Sequence, residues 1–276
     1  MKHIDFKEIV ASKAPETAKK IPNFVYYILE KWLCVEQINV VMERHKDLQG
    51  VDFVRDVLSE SFQVKINVHG KENIPHDSKL IVASNHPLGG FDGMALIQAV
   101  SECREDIIFP VNDFLTYIPN LAPLFIPINK VGSNAHNARL LEESFSSDKT
   151  ILYFPAGLCS RKIKGEIVDL QWKKTFIKQA IRHERLIVPT YIDGRNSNAF
   201  YNIANLRKFL KIKFNFEMSM LPRELFKQKN KVINITFGKP IHWTTFDQSK
   251  TELEWAESMR QFVYTLNDSP DKEFRQ

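Results

Sequence analysis

The chain has 276 residues, 43% of them apolar and 26% charged, with a formal net charge of +5. That length and apolar share describe a globular protein with room for a sizeable core, in one large domain or two small ones. Cys34, Cys103 and Cys159 lie far apart with no C-x-x-C spacing, which excludes a disulfide framework and a cysteine zinc site and fits a reducing cytosolic environment.

The first twenty residues, "MKHIDFKEIVASKAPETAKK", lack the apolar centre and small-residue cleavage site of a secretory signal. The most apolar stretches, "FVYYIL" at 24–29, "LFIPI" at 124–128 and "LIVPTYI" at 186–192, fall short of the ~20 residues a spanning helix needs. From residue 6 to about 60 the apolar positions recur at three- and four-residue intervals, as in Tyr26, Leu29, Leu33, Ile38, Val41 and Met42, and predict two or three helices. Near residue 62 the pattern changes. Short apolar runs ("KLIVAS", "DIIFPV", "LFIPIN", "TILYFP", "LIVPTYI", "KVINITF") alternate with helix-length stretches such as 92–104, 134–146 and 172–184. The alternation predicts an α/β fold with a mostly parallel central sheet covered by helices on both faces. Residues 1–61 form an N-terminal helical region in this reading, and 62–276 the α/β domain. A closing helix follows residue 245, with a polar end at "NDSPDKEFRQ".

Charge is uneven. Residues 160–185 hold eight Lys or Arg against three acids, and 206–231 hold eight against two. Such a basic face suits an anionic partner: a phosphate-bearing substrate, an acidic carrier protein, an anionic membrane or a nucleic acid. The run "LRKFLKIKF" (206–214) and the N-terminal helices are candidates to lie on an anionic membrane surface.

Residues 84–93, "SNHPLGGFDG", place His86 just past the end of a predicted strand, where open α/β sheets form their ligand crevices. Pro87, Gly89 and Gly90 make a tight turn, Asp92 opens the predicted helix as a candidate cap, and a turn of this kind can fold Asp92 back toward the imidazole. A carboxylate on one ring nitrogen fixes the tautomer and leaves the other free to take a proton from an alcohol or amine. No covalent nucleophile accompanies the pair, since there is no G-x-S-x-G elbow and Cys159 sits in a separate loop. A metal is not expected: "HER" at 183–185 is no H-E-x-x-H, and His86 with Asp92 offers two ligands without a third. Residues 150–161, "TILYFPAGLCSR", form a second strand and turn ending in Arg161, a geometry able to hold a phosphate.

Taken in order, these blocks resemble the phospholipid/glycerol acyltransferases of the 1-acylglycerol-3-phosphate acyltransferase type. Asn85, His86 and Asp92 match the family's first block, and "LFIPINK" matches its second, with Lys130 where arginine is usual. Phe154, Pro155, Ala156, Gly157, Leu158, Cys159, Ser160 and Arg161 match its third, and Val188-Pro189-Thr190 its fourth. The match spans about 78–195. "GRNS" at 194–197, "LPREL" at 221–225 and "FGKPI" at 237–241 resemble the branch labelled hemolysin, which is related to acyltransferases of amino-acid-containing lipids. Three features depart from the main family: five residues instead of four separate His86 from Asp92, Ala156 replaces a glutamate, and Leu158-Cys159 replaces Thr-Arg.

The resemblance implies transfer of a fatty acyl group from an acyl-ACP or acyl-CoA thioester to the hydroxyl of a lysolipid, either lysophosphatidic acid or a lyso-amino-acid lipid, with no bound cofactor. His86 is then the general base and Asp92 its orienting partner. Asn85, Phe154, Pro155 and Gly157 line the acceptor site, while Arg161 and Lys130 hold its anionic head. Lys173, Lys174 and Arg195 are further candidates for that pocket or for the donor. The implied location is cytoplasmic, peripheral on the inner face of the membrane. A lipid ester hydrolase, with His86 activating water, is the alternative enzyme. A basic module binding nucleic acid or an acidic protein is the non-enzymatic one, although no C₂H₂, RNP1 or basic-zipper pattern is present.

Overall fold

In the computed structural model, which describes residues 4–111, 118–127 and 134–275, helices come first. Helices α1 (Phe6–Lys13), α2 (Pro15–Ala18), α3 (Asn23–Trp32), α4 (Val35–Arg44) and α5 (Gly50–Asp56) precede a π-helical turn at Val57–Ser61. The helices before residue 62 do not all stand apart from the sheet. Phe53, Val54, Val57 and Leu58 belong to the same core as Leu80, Val82 and Phe91. His45 anchors this corner: it is buried, with Nδ1 2.6 Å from Asp56 Oδ2 and Nε2 2.8 Å from Ser61 Oγ.

Strand β1 (Lys65–His69) was not among the predicted runs, because "KINVH" mixes polar residues into a half-exposed edge. Then follow β2 (Leu80–Ser84), α6 (Gly90–Ser101), β3 (Ile107–Val111), β4 (Phe125–Pro127), α7 (Asn134–Ser146) and β5 (Thr150–Tyr153). A short hairpin, β6 (Arg161–Ile163) and β7 (Glu166–Val168), leads to α8 (Thr175–His183) and β8 (Leu186–Asp193). The chain closes with α9 (Asn198–Phe209), α10 (Leu221–Phe226), β9 (Val232–Phe237) and α11 (Glu252–Thr265).

The main sheet has the order β1-β9-β8-β2-β5-β3-β4. All its pairings are parallel except β8 with β9. Central strand β2 is buried on both faces, which explains its unbroken apolar run. Leu80 and Val82 face the core that contains α5 and α6; Ile81 and Ala83 face the one that contains α8 and α11. Leu80, Ile81 and Val82 each contribute roughly 1.5–3 kcal/mol on burial, so this alternation holds both helical layers to one strand.

The fully buried Arg185 locks the opposite end of the strands. Its guanidinium donates to the carbonyls of Ser144, Phe145, Ser147 and Lys149, gathering carbonyls from the end of α7 and from the turn that leads into β5. Burial depresses its pKa to about 10.

The run at 206–214 is not one continuous amphipathic helix. Helix α9 ends at Phe209, and Lys211 adopts a left-handed φ of 55° that turns the chain. Phe209 and Phe214 project outward, 81% and 77% exposed. Phe24, Tyr27 and Ile28 on α3 are exposed as well. Trp32 of the same helix reaches the segment after that run, through a 2.9 Å bond to Ser219 and a cation–π contact with Arg223. Among the described residues no helix is long and apolar enough to cross a membrane.

Candidate active site

Parallel pairing brings the chemistry-bearing turns together. Ala83 is in register with Tyr153 on β5 and with Pro189 on β8, so the segments after β2, β5 and β8 leave the sheet side by side. His86 emerges from the first and Phe154 from the second. Their rings stack with centroids 4.1 Å apart and planes inclined by 20°. This fixes one face of the imidazole and makes Phe154 part of the site.

Gly89 caps α6 with φ 79°, a conformation a side chain resists; a β-carbon there would also stand 3.1 Å from Cys159 Sγ. The turn absorbs the five-residue spacing and brings Asp92, third residue of α6, back under the loop. Asp92 Oδ2 accepts from the Leu88 and Gly89 N–H groups at 2.7 and 3.0 Å, one half of a capping box. The same oxygen lies 3.0 Å from His86 Nδ1. That is hydrogen-bond distance, but the ring N–H is not well directed at the oxygen, and Asp92 Oδ1 has no partner among the described residues.

Asp92 is fully buried, and burial pushes its carboxyl up, against the opposing pull of His86 and the Leu88 N–H. The His86 side chain keeps 17% of its surface open to solvent. The pair therefore has a dry carboxylate side and an open side, as a general base requires.

The expected substrate-binding residues divide in this geometry. Asn85 is buried with its amide occupied: Oδ1 accepts from Ile192 N–H (2.7 Å) and Nδ2 donates to Ile192 C=O (2.9 Å), extending the sheet between β2 and β8. Pro155 is buried, its carbonyl accepting from Lys173 N–H. Gly157, at φ 66°, is exposed, and a β-carbon there would meet Lys173 Nζ at 3.1 Å. The Lys173 ammonium thus hangs over the turn that carries Phe154. Lys174 instead pairs with Glu252 of α11, and the exposed Arg195 donates to Asn198.

Arg161 requires a correction. Its guanidinium is buried, donating to Cys159 C=O (2.6 Å) and to Glu217 (3.1 Å) while stacking near Phe200. Glu217 is fully buried and also pairs with Arg207 at 2.8 Å. A side chain held this way braces the turn after β5 and does not present a cation to a ligand. Lys130 lies outside the described residues. Burial pushes the Cys159 thiol far up, so it offers no thiolate.

One residue at this site carried no signal in the sequence: Asp169, 83 positions after His86, accepts from the His86 backbone N–H at 3.1 Å. Asn196, inside the "GRNS" stretch, donates to Pro87 C=O. Asp169 follows a hairpin that alternation of apolar and polar residues did not reveal, and no spacing rule connects it with His86. Among the described residues no group of three or more His, Cys, Asp or Glu could hold a metal.

Comparison with known proteins completes the description. A family model described as acyltransferase matches residues 8–273. A lyso-glycine lipid O-acyltransferase of Bacteroides thetaiotaomicron is 45% identical over 265 residues, 95% of this chain and 97% of that protein. Its namesake from Phocaeicola vulgatus is 43% identical, with 95% of each chain covered. The crystal structure of a 1-acyl-sn-glycerophosphate acyltransferase from Thermotoga maritima superposes with a TM-score of 0.48 at 16% identity, covering 87% of this chain and 95% of that one; so distant a likeness adds nothing to the family assignment.

Proposed function

The chain belongs to the acyltransferase family, and from that premise we propose that it moves a fatty acyl group from a thioester to the hydroxyl of a lysolipid. The observation that carries this reading is the His86 ring held 3.0 Å from a buried Asp92 at the open end of the sheet. With Nδ1 protonated toward Asp92, Nε2 takes the proton of the acceptor hydroxyl as its oxygen attacks the thioester carbonyl. The C–S bond breaks, and the departing thiolate takes the proton back from the imidazolium. Asp92 stabilises that imidazolium, as the carboxylate does in a serine triad. Holding the two substrates together contributes further, up to about 7–11 kcal/mol of the barrier.

The acceptor proposed is a lyso-glycine lipid, the substrate in the names of the two relatives. A glycine joined through its nitrogen presents a single carboxylate. The turn after β5 suits such a head better than a phosphate. Ala156 and Leu158 bring no charge, Arg161 is occupied internally, and Lys173 stands over Gly157. The donor proposed is an acyl-ACP or acyl-CoA thioester. We place the protein on the inner face of the cytoplasmic membrane, where Phe209 and Phe214 insert between Lys208, Lys211 and Lys213.

The test is His86→Ala, assayed for acylated glycine lipid from each thioester. Loss of product with the fold retained is expected. A variant keeping a tenth or more of the activity would remove the base assignment. Free fatty acid as the main wild-type product would establish a hydrolase instead.

A further inference from the structure

Two buried carboxylates face the His86 loop, and the mechanism above uses only Asp92. Asp169 follows β7 and is 2% exposed. Its Oδ1 accepts from the His86 backbone N–H at 3.1 Å and from the Ser160 hydroxyl at 2.6 Å; Oδ2 accepts from the Trp172 indole at 2.8 Å. Ser160 in turn donates its own N–H to the His86 carbonyl at 2.8 Å. His86 stands two residues past the end of β2, so its peptide groups have left the strand ladder. Both are recaptured here, one by Asp169 directly and one by the residue Asp169 grips. The Asp169 N–H donates to the Tyr264 hydroxyl (2.7 Å), anchoring the assembly to α11.

Burying a carboxylate is costly unless several donors converge on it, and a buried charge serving packing alone is commonly replaced at no loss by an apolar residue. Three donors meet at Asp169: one from the catalytic loop, one from the turn after β5 and one from Trp172, three residues further along its own segment. We propose that Asp169 is the positioning residue of the transfer reaction, clamping the His86 backbone so that its ring stays between Asp92, Phe154 and the acceptor hydroxyl. It touches no reacting atom; it acts through His86. The inference rests on His86 being the base.

An asparagine cannot reproduce the arrangement, because one of its two terminal atoms is a donor. If its oxygen faces His86 and Ser160, its amide meets the Trp172 N–H donor to donor and is pushed away, dragging the loop it holds, a repulsion that Trp172→Phe does not create; if flipped, it opposes the His86 N–H. Misplacing a reacting group by about 1 Å costs up to ~100-fold, so Asp169→Asn should lower kcat by about 10- to 100-fold. KM for thioester and lysolipid should stay within about three-fold, since neither substrate meets Asp169. Trp172→Phe, which removes the bond on the far side of the carboxylate, is the control. It should lose thermal stability yet keep kcat within about three-fold.

Three results would overturn the proposal: Asp169→Asn folded with more than half of wild-type kcat, a loss confined to KM, or Trp172→Phe losing as much kcat. Should Asp169→Asn fail to fold, Ser160→Ala decides. It leaves the Ser160 N–H on His86 but removes one bond to Asp169, and a several-fold fall in kcat with unchanged KM is expected; full kcat would overturn the idea. A dead His86→Ala enzyme beside a fully active Asp169→Asn enzyme would refute this inference alone. An active His86→Ala enzyme would refute the reading beneath it.

Discussion

Replacing Asp92 by asparagine separates the charge of that residue from its architecture. An asparagine oxygen can still accept from the Leu88 and Gly89 N–H groups, so the start of α6 should survive. What disappears is the negative charge 3.0 Å from His86 Nδ1. At an effective dielectric near 20, two unit charges at that distance attract by about 5 kcal/mol, a ceiling of roughly 10⁴ in rate. General-base catalysis as a whole is typically worth ~10²–10⁴, and kcat should fall within that range. Stability should move the other way. Burial raises the Asp92 carboxyl, so its contribution to stability is fully present below the unfolded value of 3.8 and is lost as pH rises through the folded one. Asp92→Asn should therefore match or exceed wild type in urea midpoint at pH 8, with the advantage shrinking toward pH 4. Thiol release from the acyl thioester gives the rate, and urea titration at several pH values the stability. A folded Asp92→Asn enzyme with more than a tenth of wild-type kcat would refute the electrostatic role. A variant less stable at every pH would refute the account of its burial.

Other consequences are accessible to the same measurements. Glu217→Ala leaves the Arg161 and Arg207 guanidiniums without their buried partner and should cost about 3–5 kcal/mol in urea unfolding; a loss below 1 kcal/mol would show the cluster to be dispensable. Asp106 is held below the ordinary carboxylate range by the two-pronged Arg104 contact. Its contribution, about 1 kcal/mol after allowing for partial exposure, is present above pH 3.8 and lost as pH falls through the folded value. The stability gap between wild type and Asp106→Asn should accordingly be wider at pH 7 than at pH 3, and an equal gap would contradict the ion-pair explanation. Finally, changing Phe209 and Phe214 together to aspartate should abolish flotation with anionic vesicles at low salt. Retained binding would move the membrane contact elsewhere.

The sequence by itself determined the class of fold and that His86 and Asp92 come together. Apolar runs such as "KLIVAS" are long enough, and bounded clearly enough, to declare a strand buried on both faces, and the glycine turn after it announces the backbone conformation Gly89 adopts. His86 and Asp92 lie six positions apart, so local geometry alone can join them. The edge strand β1 and the hairpin β6–β7 were not legible, since half-exposed strands of three to five residues leave too little alternation to detect. Only the tertiary structure decided what Arg161, Asn85 and Asp169 do. Arg161 reads as an exposed cation until Glu217, 56 residues away, is folded against it, and Asn85 as a ligand-binding amide until β8 takes both its polar atoms. Asp169 reads as one acid in a basic stretch until the His86 loop, 83 residues away, and the turn after β5 bring their donors to it. A side chain's type sets which bonds it can make; which groups reach it first is settled by how distant segments pack.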